Sequence, residues 1–125
     1  MAATPEGKIK AKLDRMLKEE DVWFFPPQAG PYGKSGIPDR ILCVRGKFVG
    51  VEAKADKNKE LTALQKLCRA DILSHGGVYF TVYDTDTIEN VRRYIYACNP
   101  AAALTSTKAY RLRTDNDGNT ICEEI

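Results

Sequence analysis

Residues 36–54 read GIPDRILCVRGKFVGVEAK, and this stretch decides the fold. It contains two mostly apolar runs, residues 39–45 and 47–54, separated by Gly46. Apolar and β-branched residues favour strands, and a glycine between two such runs favours a tight turn. The stretch therefore predicts a β-hairpin.

The hairpin brings charged residues together. Residues i and i+2 of a strand face the same side, so Glu52 and Lys54 point together and Ala53 points away. The hairpin can also bring Asp39 close to Glu52. Two carboxylates and the Ala53 carbonyl suit a hard cation such as Mg²⁺. Lys54 beside that cation could orient or deprotonate water and stabilise charge on a phosphorane-like transition state. A solvated salt-bridge face is the alternative interpretation of the same three charges.

The loop before the hairpin, residues 28–37, contains Gly-Lys-Ser at 33–35, which resembles the end of a nucleotide-binding P-loop. A P-loop also needs a glycine five residues before Gly33 and a helix that begins at the Lys-Ser pair. Gln28 stands at the glycine position, and Pro38 and a strand follow Ser35. We therefore expect no P-loop and no nucleotide cofactor.

Helices and further strands lie on both sides of the hairpin. Thr4-Pro5-Glu6 is a typical helix start. Thr62 and Gln65 have the spacing of a capping box, whose bonds alone would explain Gln65. The predicted elements are a helix over 5–19, a strand over 22–25, the hairpin, a helix after Thr62, a strand over 78–83, a helix after Asp84 and a possible terminal hairpin of 108–113 with 120–125. The order α-β-β-β-α-β-α predicts an α/β fold with a mixed central sheet flanked by helices.

Length and composition indicate one domain over residues 1–125, with a core of about 4–100 and a C-terminal extension over 101–125. Residues 1–60 carry 12 Lys/Arg and 9 Asp/Glu, and residues 61–125 carry 7 and 8, so a polyanion would favour the first half. Four separate cysteines and one histidine argue against a structural zinc site. No apolar run approaches the ~20 residues of a membrane span. We expect a cytoplasmic protein, in the host cytoplasm if a phage encodes it.

The combined motifs resemble the stand-alone VRR-NUC domains of the PD-(D/E)xK nuclease superfamily. The resemblance covers about residues 4–84. It rests on a G-x-P-D motif that ends at Asp39, an E-x-K motif at Glu52–Lys54, an L-T-x-x-Q motif that ends at Gln65, and Gly-Gly before the next strand. Glu6 matches the family's N-terminal acid. The resemblance implies a restriction-endonuclease-like core and divalent-metal-dependent hydrolysis of phosphodiester bonds.

The resemblance also implies a role for each motif residue. Asp39, Glu52 and the Ala53 carbonyl would be metal ligands for Mg²⁺, with Mn²⁺ as a substitute. Lys54 would be the catalytic lysine, and Gln65 would support the site. Glu6 would contribute through water or a second metal.

Stand-alone members of the family resemble archaeal Holliday-junction resolvases, which act as homodimers. We therefore expect a homodimeric endonuclease that cuts four-way DNA junctions, since a two-fold dimer supplies two sites at a fixed spacing. A flap, nicking or restriction-like endonuclease is the nearest alternative, and a non-catalytic DNA-binding module is the alternative of another class. The expected DNA contacts, whose lysines could equally be ordinary solubility charges, are Lys8, Lys12, Tyr32, Lys34, Lys57 and Lys59.

Overall fold

The structure is a computed structural model that describes residues 3–28, 35–99 and 108–125. Its elements follow the predicted order, including the terminal hairpin. They are α1 (Pro5–Glu19), β1 (Trp23–Phe25), β2 (Arg40–Val44), β3 (Lys47–Ala53), α2 (Ala63–Ser74), β4 (Val78–Val82), α3 (Thr85–Ala97), β5 (Tyr110–Thr114) and β6 (Thr120–Glu124).

Side-chain caps fix where the helices begin. Thr4 accepts a hydrogen bond from the Gly7 amide at the start of α1, with Pro5 as the first helical residue. Thr62 and Gln65 form the predicted capping box of α2. Asp84 and Thr87 form a second capping box that starts α3. Each cap satisfies amides that would otherwise lack a partner.

Four strands form a mixed sheet in the order β1-β2-β3-β4. Strands β1, β2 and β3 are antiparallel neighbours, and β3 and β4 run parallel with α2 as the connection between them. A two-residue turn, Arg45-Gly46, joins β2 to β3, and both of its residues have positive φ. The predicted β-hairpin and mixed sheet are confirmed.

The two faces of this sheet are covered differently. One face packs against α1 and α3 in a hydrophobic core that includes Leu13, Val51, Phe80 and Val91. The other face carries Gly50, Glu52 and Tyr79 and is covered by α2 in part. The carboxylate Glu52 therefore lies on the face opposite the main core, where a polar group can find polar partners.

The terminal hairpin of β5 and β6 forms a separate two-stranded sheet that packs against α3. Cys122 is fully buried within the main core. Asn90 of α3 donates to the Thr120 carbonyl at 2.9 Å and accepts from the Cys122 amide at 2.7 Å. The hairpin is therefore part of the packed fold.

No helix among the described residues is long and apolar enough to cross a membrane. All four cysteines are free thiols.

Candidate active site

Two glycines allow the G-x-P-D motif to approach the rest of the structure closely. Gly36 has a φ of +79°, and a Cβ atom there would lie 2.4 Å from the Leu64 carbonyl oxygen of α2. A Cβ atom at Gly50 of β3 would lie 2.8 Å from Cγ of Pro38. Pro38, which is fully buried, therefore packs directly on the β3 backbone. This packing fixes Asp39 at the entrance to β2.

The side chain of Asp39 provides a hydrogen-bond partner for β3 where β2 has already ended. Arg40 at the start of β2 pairs with Val51, so Ala53 lies beyond the end of β2. The Oδ2 atom of Asp39 accepts a hydrogen bond from the Ala53 amide at 2.8 Å. The strands predicted over 39–45 and 47–54 are slightly shorter in the structure, because β2 begins at Arg40 and β3 ends at Ala53. Asp39 and Lys54 therefore lie where the chain enters and leaves the sheet.

Arg40 ties this entrance to α1. Its Nε and Nη2 atoms donate to the two carboxylate oxygens of Asp14, at 2.7 and 2.9 Å. Its Nη1 atom donates to the carbonyl oxygen of Asp39 at 2.8 Å. Such a two-point pairing is geometrically specific, so it holds the Asp39 backbone in register with the helix.

Asp39 and Glu52 lie close enough for their carboxyl groups to share a hydrogen bond. Glu52 is only 3% exposed. Burial, and then the hydrogen bond and negative charge of Asp39, raise the pKa of Glu52 to about 9. Burial opposes ionisation of Asp39 too, but the hydrogen bonds from Glu52 and Ala53 and the charge of Lys10 hold its pKa below the ordinary value. The two shifts run in opposite directions, because ionisation of Asp39 disfavours ionisation of its neighbour Glu52.

Gln65 links the two charged residues of the E-x-K motif. Its Oε1 atom accepts from Lys54 Nζ at 2.9 Å, and its Nε2 atom donates to Glu52 Oε2 at 3.2 Å. The same Oε1 atom accepts from the Thr62 amide at 2.9 Å as part of the capping box. Gln65 therefore serves both as a helix cap and as a contact of Glu52 and Lys54, and the prediction that Glu52 and Lys54 point the same way is confirmed.

Glu6 and Lys10 border the pair from α1. The Nζ atom of Lys10 lies 3.3 Å from Glu6 Oε2 and 3.3 Å from Asp39 Oδ1. The negative charge of Glu6 also contributes to the raised pKa of Glu52. The structure thus brings Glu6 into the neighbourhood of the predicted site residues, with Lys10 between it and Asp39.

The predicted DNA contacts lie on more than one side of the structure. Lys8, Lys57 and Lys59 are exposed. Lys12 is exposed and lines a groove between α1 and α3, so it projects from a different side of α1 than Lys10. Tyr32 and Lys34 lie outside the described residues.

Lys10 is the site residue that the sequence reasoning did not single out. The signal for it is the spacing Glu6–Lys10–Asp14, which places acid, base and acid on one face of α1 at successive turns. That face could not be assigned to the site before Asp39 and Arg40 were seen to contact it.

Oxygen atoms are the donors that this site offers to a cation. Within residues 3–28, 35–99 and 108–125, no three His, Cys, Asp or Glu side chains converge on one potential metal position. A metal here would rely on the Asp39 and Glu52 carboxylates together with backbone or water oxygens, a donor set that suits Mg²⁺.

Comparison with known proteins identifies the fold. A solved structure of a VRR_NUC domain superposes on the chain with a TM-score of 0.66 at 22% identity, over 74% of this chain and 98% of that one. No protein-family model matches the chain, and no curated protein matches it significantly. The chain therefore has the restriction-endonuclease-like fold of a VRR_NUC domain, as its motifs predicted. About a quarter of the chain lies outside the superposed part.

Proposed function

We propose that the protein is a divalent-metal-dependent DNA endonuclease. The observation that carries this proposal is the arrangement of the half-buried Asp39 and the buried Glu52 beside Lys54 and Gln65, in the fold of a VRR_NUC domain. Strongly perturbed carboxylates beside an oriented lysine are typical of catalytic sites. The solved structure that shares this fold is a VRR_NUC domain, and the chemistry of this pair suits hydrolysis of phosphodiester bonds.

The pair fits a hard divalent cation. Two carboxyl groups that are forced together in a buried position can ionise together only if a positive charge compensates them. Asp39 and Glu52 would hold Mg²⁺, or Mn²⁺ in its place, together with the Ala53 carbonyl. When bound, the metal supplies Lewis-acid activation of water and of the phosphodiester.

Lys54 and Gln65 have the geometry for the remaining chemistry. The Lys54 ammonium is held by Gln65 beside Glu52, where it can orient a water molecule or stabilise negative charge on the attacked phosphate. Because Gln65 contacts both residues, it fixes their relative positions. Glu6 would act on the same site through water.

DNA is the polyanion that the surface charges suit. Lys8, Lys57 and Lys59 are exposed, and none of the three is ion-paired with another described residue. Phosphate contacts of this kind give affinity without reading sequence. Lys12, Tyr32 and Lys34 complete the proposed DNA contacts.

We propose a four-way junction as the preferred substrate and a homodimer as the active form. The support for a dimer is an apolar patch on the face of the sheet that α2 leaves uncovered. Trp23 is 63% exposed and lies beside Phe25, at 5.4 Å between ring centres. The strand register continues the patch across Cys43 to Phe48. Exposed aromatic clusters of this kind are enriched in the cores of protein interfaces.

The nuclease proposal is tested by incubating purified protein with Mg²⁺ or Mn²⁺ and a set of DNA substrates: a four-way junction, a flap, a splayed arm and a linear duplex. We expect metal-dependent cutting, with the junction preferred. Asp39→Asn and Lys54→Met should each lose cleavage. Glu124→Gln, which removes one charge from the exposed end of the terminal hairpin, is the matched control and should cut like wild type.

The outcomes separate the parts of the proposal. If wild type cuts no substrate, or if Asp39→Asn cuts as well as wild type, the catalytic assignment is wrong. Cutting of flaps or linear duplex alone would refute the junction preference and leave the metal site standing. DNA binding without any cutting would favour the non-catalytic DNA-binding module.

The dimer is tested separately by sedimentation with and without DNA. Wild type should sediment as a dimer, and Trp23→Ser combined with Phe48→Ser should sediment as a monomer. A wild-type monomer under both conditions would contradict paired cutting.

A further inference from the structure

The ammonium group of Lys10 contacts the carboxylate oxygen of Asp39 that does not accept the Ala53 amide hydrogen bond. The Oδ2 atom of Asp39 is committed to the Ala53 amide. The Oδ1 atom receives the Lys10 ammonium at 3.3 Å. A positive charge that belongs to the chain thus lies against one of the two proposed metal ligands.

A divalent cation and the Lys10 ammonium would compete for this position. A metal held by Glu52 and the Oδ1 atom of Asp39 would contact the same oxygen, and two positive charges a few ångströms apart repel each other. The Lys10 side chain is 30% exposed, so it has room to withdraw. Its ammonium already contacts Glu6 at 3.3 Å, one helical turn earlier, and can keep that partner after leaving Asp39.

We propose that Lys10 is an internal counter-ion that fills the place of the metal on Asp39 and is displaced when the metal binds. The displaced ammonium then turns to the phosphate of the bound DNA, which replaces Asp39 as its second anion. This inference rests on the proposed nuclease function. It adds to that function a residue that restrains metal binding in the absence of DNA and contacts the substrate phosphate in its presence.

A purely structural ion pair would behave differently. If Lys10 only helped to hold Asp39 in place, its removal would loosen the ligand and weaken metal binding. If Lys10 competes with the metal, its removal strengthens metal binding. The direction of the change in metal affinity therefore distinguishes the two roles.

The test measures Mn²⁺ affinity by isothermal titration calorimetry in the absence of DNA. Lys10→Met removes the charge and keeps the helix propensity and most of the side-chain length. We expect it to bind Mn²⁺ about two- to fivefold more tightly than wild type, the range of a partly exposed ion pair. Lys10→Arg keeps the charge and should stay near wild type. Lys18→Met, at the exposed far end of the same helix, is the matched control and should also stay near wild type.

A second measurement tests the contact with phosphate. DNA affinity is compared between wild type and Lys10→Met with Ca²⁺, under conditions in which no product forms, and again without metal. The variant should lose about one unit of salt slope with Ca²⁺ and little without metal, because the ammonium is available to DNA only after displacement. Equal salt slopes with Ca²⁺ would refute the phosphate contact.

The failure of this inference can be told apart from the failure of the proposed function. If wild type binds Mn²⁺ and cuts DNA while Lys10→Met binds Mn²⁺ equally or more weakly, the counter-ion role is wrong and the nuclease assignment stands. If wild type neither binds Mn²⁺ nor cuts DNA, both are wrong.

Discussion

Among the described residues, an asparagine cluster and a carboxylate cluster each contain a buried polar side chain, and their polar groups are paired to different degrees. The asparagine cluster consists of the Asn90 side chain, the Thr120 carbonyl and the Cys122 amide, and both of its bonds join neutral partners. The carboxylate cluster contains Asp39 and Glu52, which are held together although both would carry negative charge at neutral pH if they were exposed. Asn90 and Glu52 are similarly inaccessible, at 8% and 3% exposed, so burial alone does not distinguish the clusters.

The two clusters differ in whether their polar groups are fully paired within the protein. The asparagine cluster is complete, because one amide pairs with one carbonyl and one N–H group, and it fastens the terminal hairpin to α3. The carboxylate cluster needs a proton on Glu52 to be tolerated. A site whose carboxyl groups hold a displaceable proton and a displaceable ammonium is prepared for a metal ion, whereas a cluster of paired neutral groups stabilises the fold.

The largest expected effect comes from removing the charge of the carboxylate cluster. Glu52→Gln should lose metal-dependent cleavage by about 10³-fold or more, because one of two charged ligands becomes neutral. The variant should be at least as stable as wild type, since Gln can occupy the place of the protonated Glu52. Cleavage rates at saturating metal and denaturant unfolding measure the two effects. A variant that is severely destabilised would mean that Glu52 has a structural role like that of Asn90.

The reverse pattern is expected from the asparagine cluster. Asn90→Ala leaves the Thr120 carbonyl and the Cys122 amide without their partner, which should cost about 2–4 kcal/mol of unfolding free energy. Cleavage by the folded fraction should remain near wild type. Asn58→Ala, at an exposed position, is the control and should change stability by less than about 0.5 kcal/mol. A large loss of specific activity in Asn90→Ala would contradict the claim that the asparagine cluster serves stability alone.

The stability of the metal-free protein should fall as pH rises. Glu52 keeps its proton in the folded state up to about pH 9, whereas an unfolded glutamate loses it near about pH 4.3. Between these values the folded state binds more protons than the unfolded state, so stability declines with pH by at most about 1.4 kcal/mol per unit. Thermal unfolding from pH 5 to 8.5 in a chelating buffer measures the slope. Glu52→Gln should show a smaller slope, and an equal slope would place the titration elsewhere.

The smallest effect tests the link between a helix cap and the site. Thr62→Ala removes the hydroxyl that accepts from the Gln65 backbone amide, which should cost about 1 kcal/mol of stability. Because this loosens the first turn of α2, which carries Gln65, we expect cleavage to fall a few-fold. Asp84→Ala removes the cap of α3 at a similar cost in stability, and we expect no change in cleavage from it. If both variants cleave alike, the capping box of α2 does not support the site.

Much of the fold could be predicted because its signals are local. The apolar runs around Arg45-Gly46 specify the β2–β3 hairpin, and the Thr62–Gln65 spacing specifies the start of α2. The Glu52–Lys54 side of β3 follows from the two-residue period of a strand. These features depend on neighbours within a few residues.

The rest depends on long-range packing. The apolar stripe of α1 faces the core, but which strand its charged edge meets depends on contacts such as Asp14 with Arg40. The position of Lys10 could therefore not be predicted. The docking of the terminal hairpin rests on Asn90, a residue about 30 positions away whose type alone indicates nothing. The shared proton of Asp39 and Glu52 follows from their burial, which appears only when α2 and the G-x-P-D loop are in place.

The central claim is that Asp39 and Glu52 form a metal site that is neutralised by a proton until a cation arrives. The most direct test is the number of protons released when Mn²⁺ binds, measured at pH 7.5 by titration calorimetry in buffers of different ionisation enthalpy. Because the metal must displace the proton of Glu52, we predict the release of about one proton per Mn²⁺. Mn²⁺ binding without proton release, or no Mn²⁺ binding at all, would contradict the account.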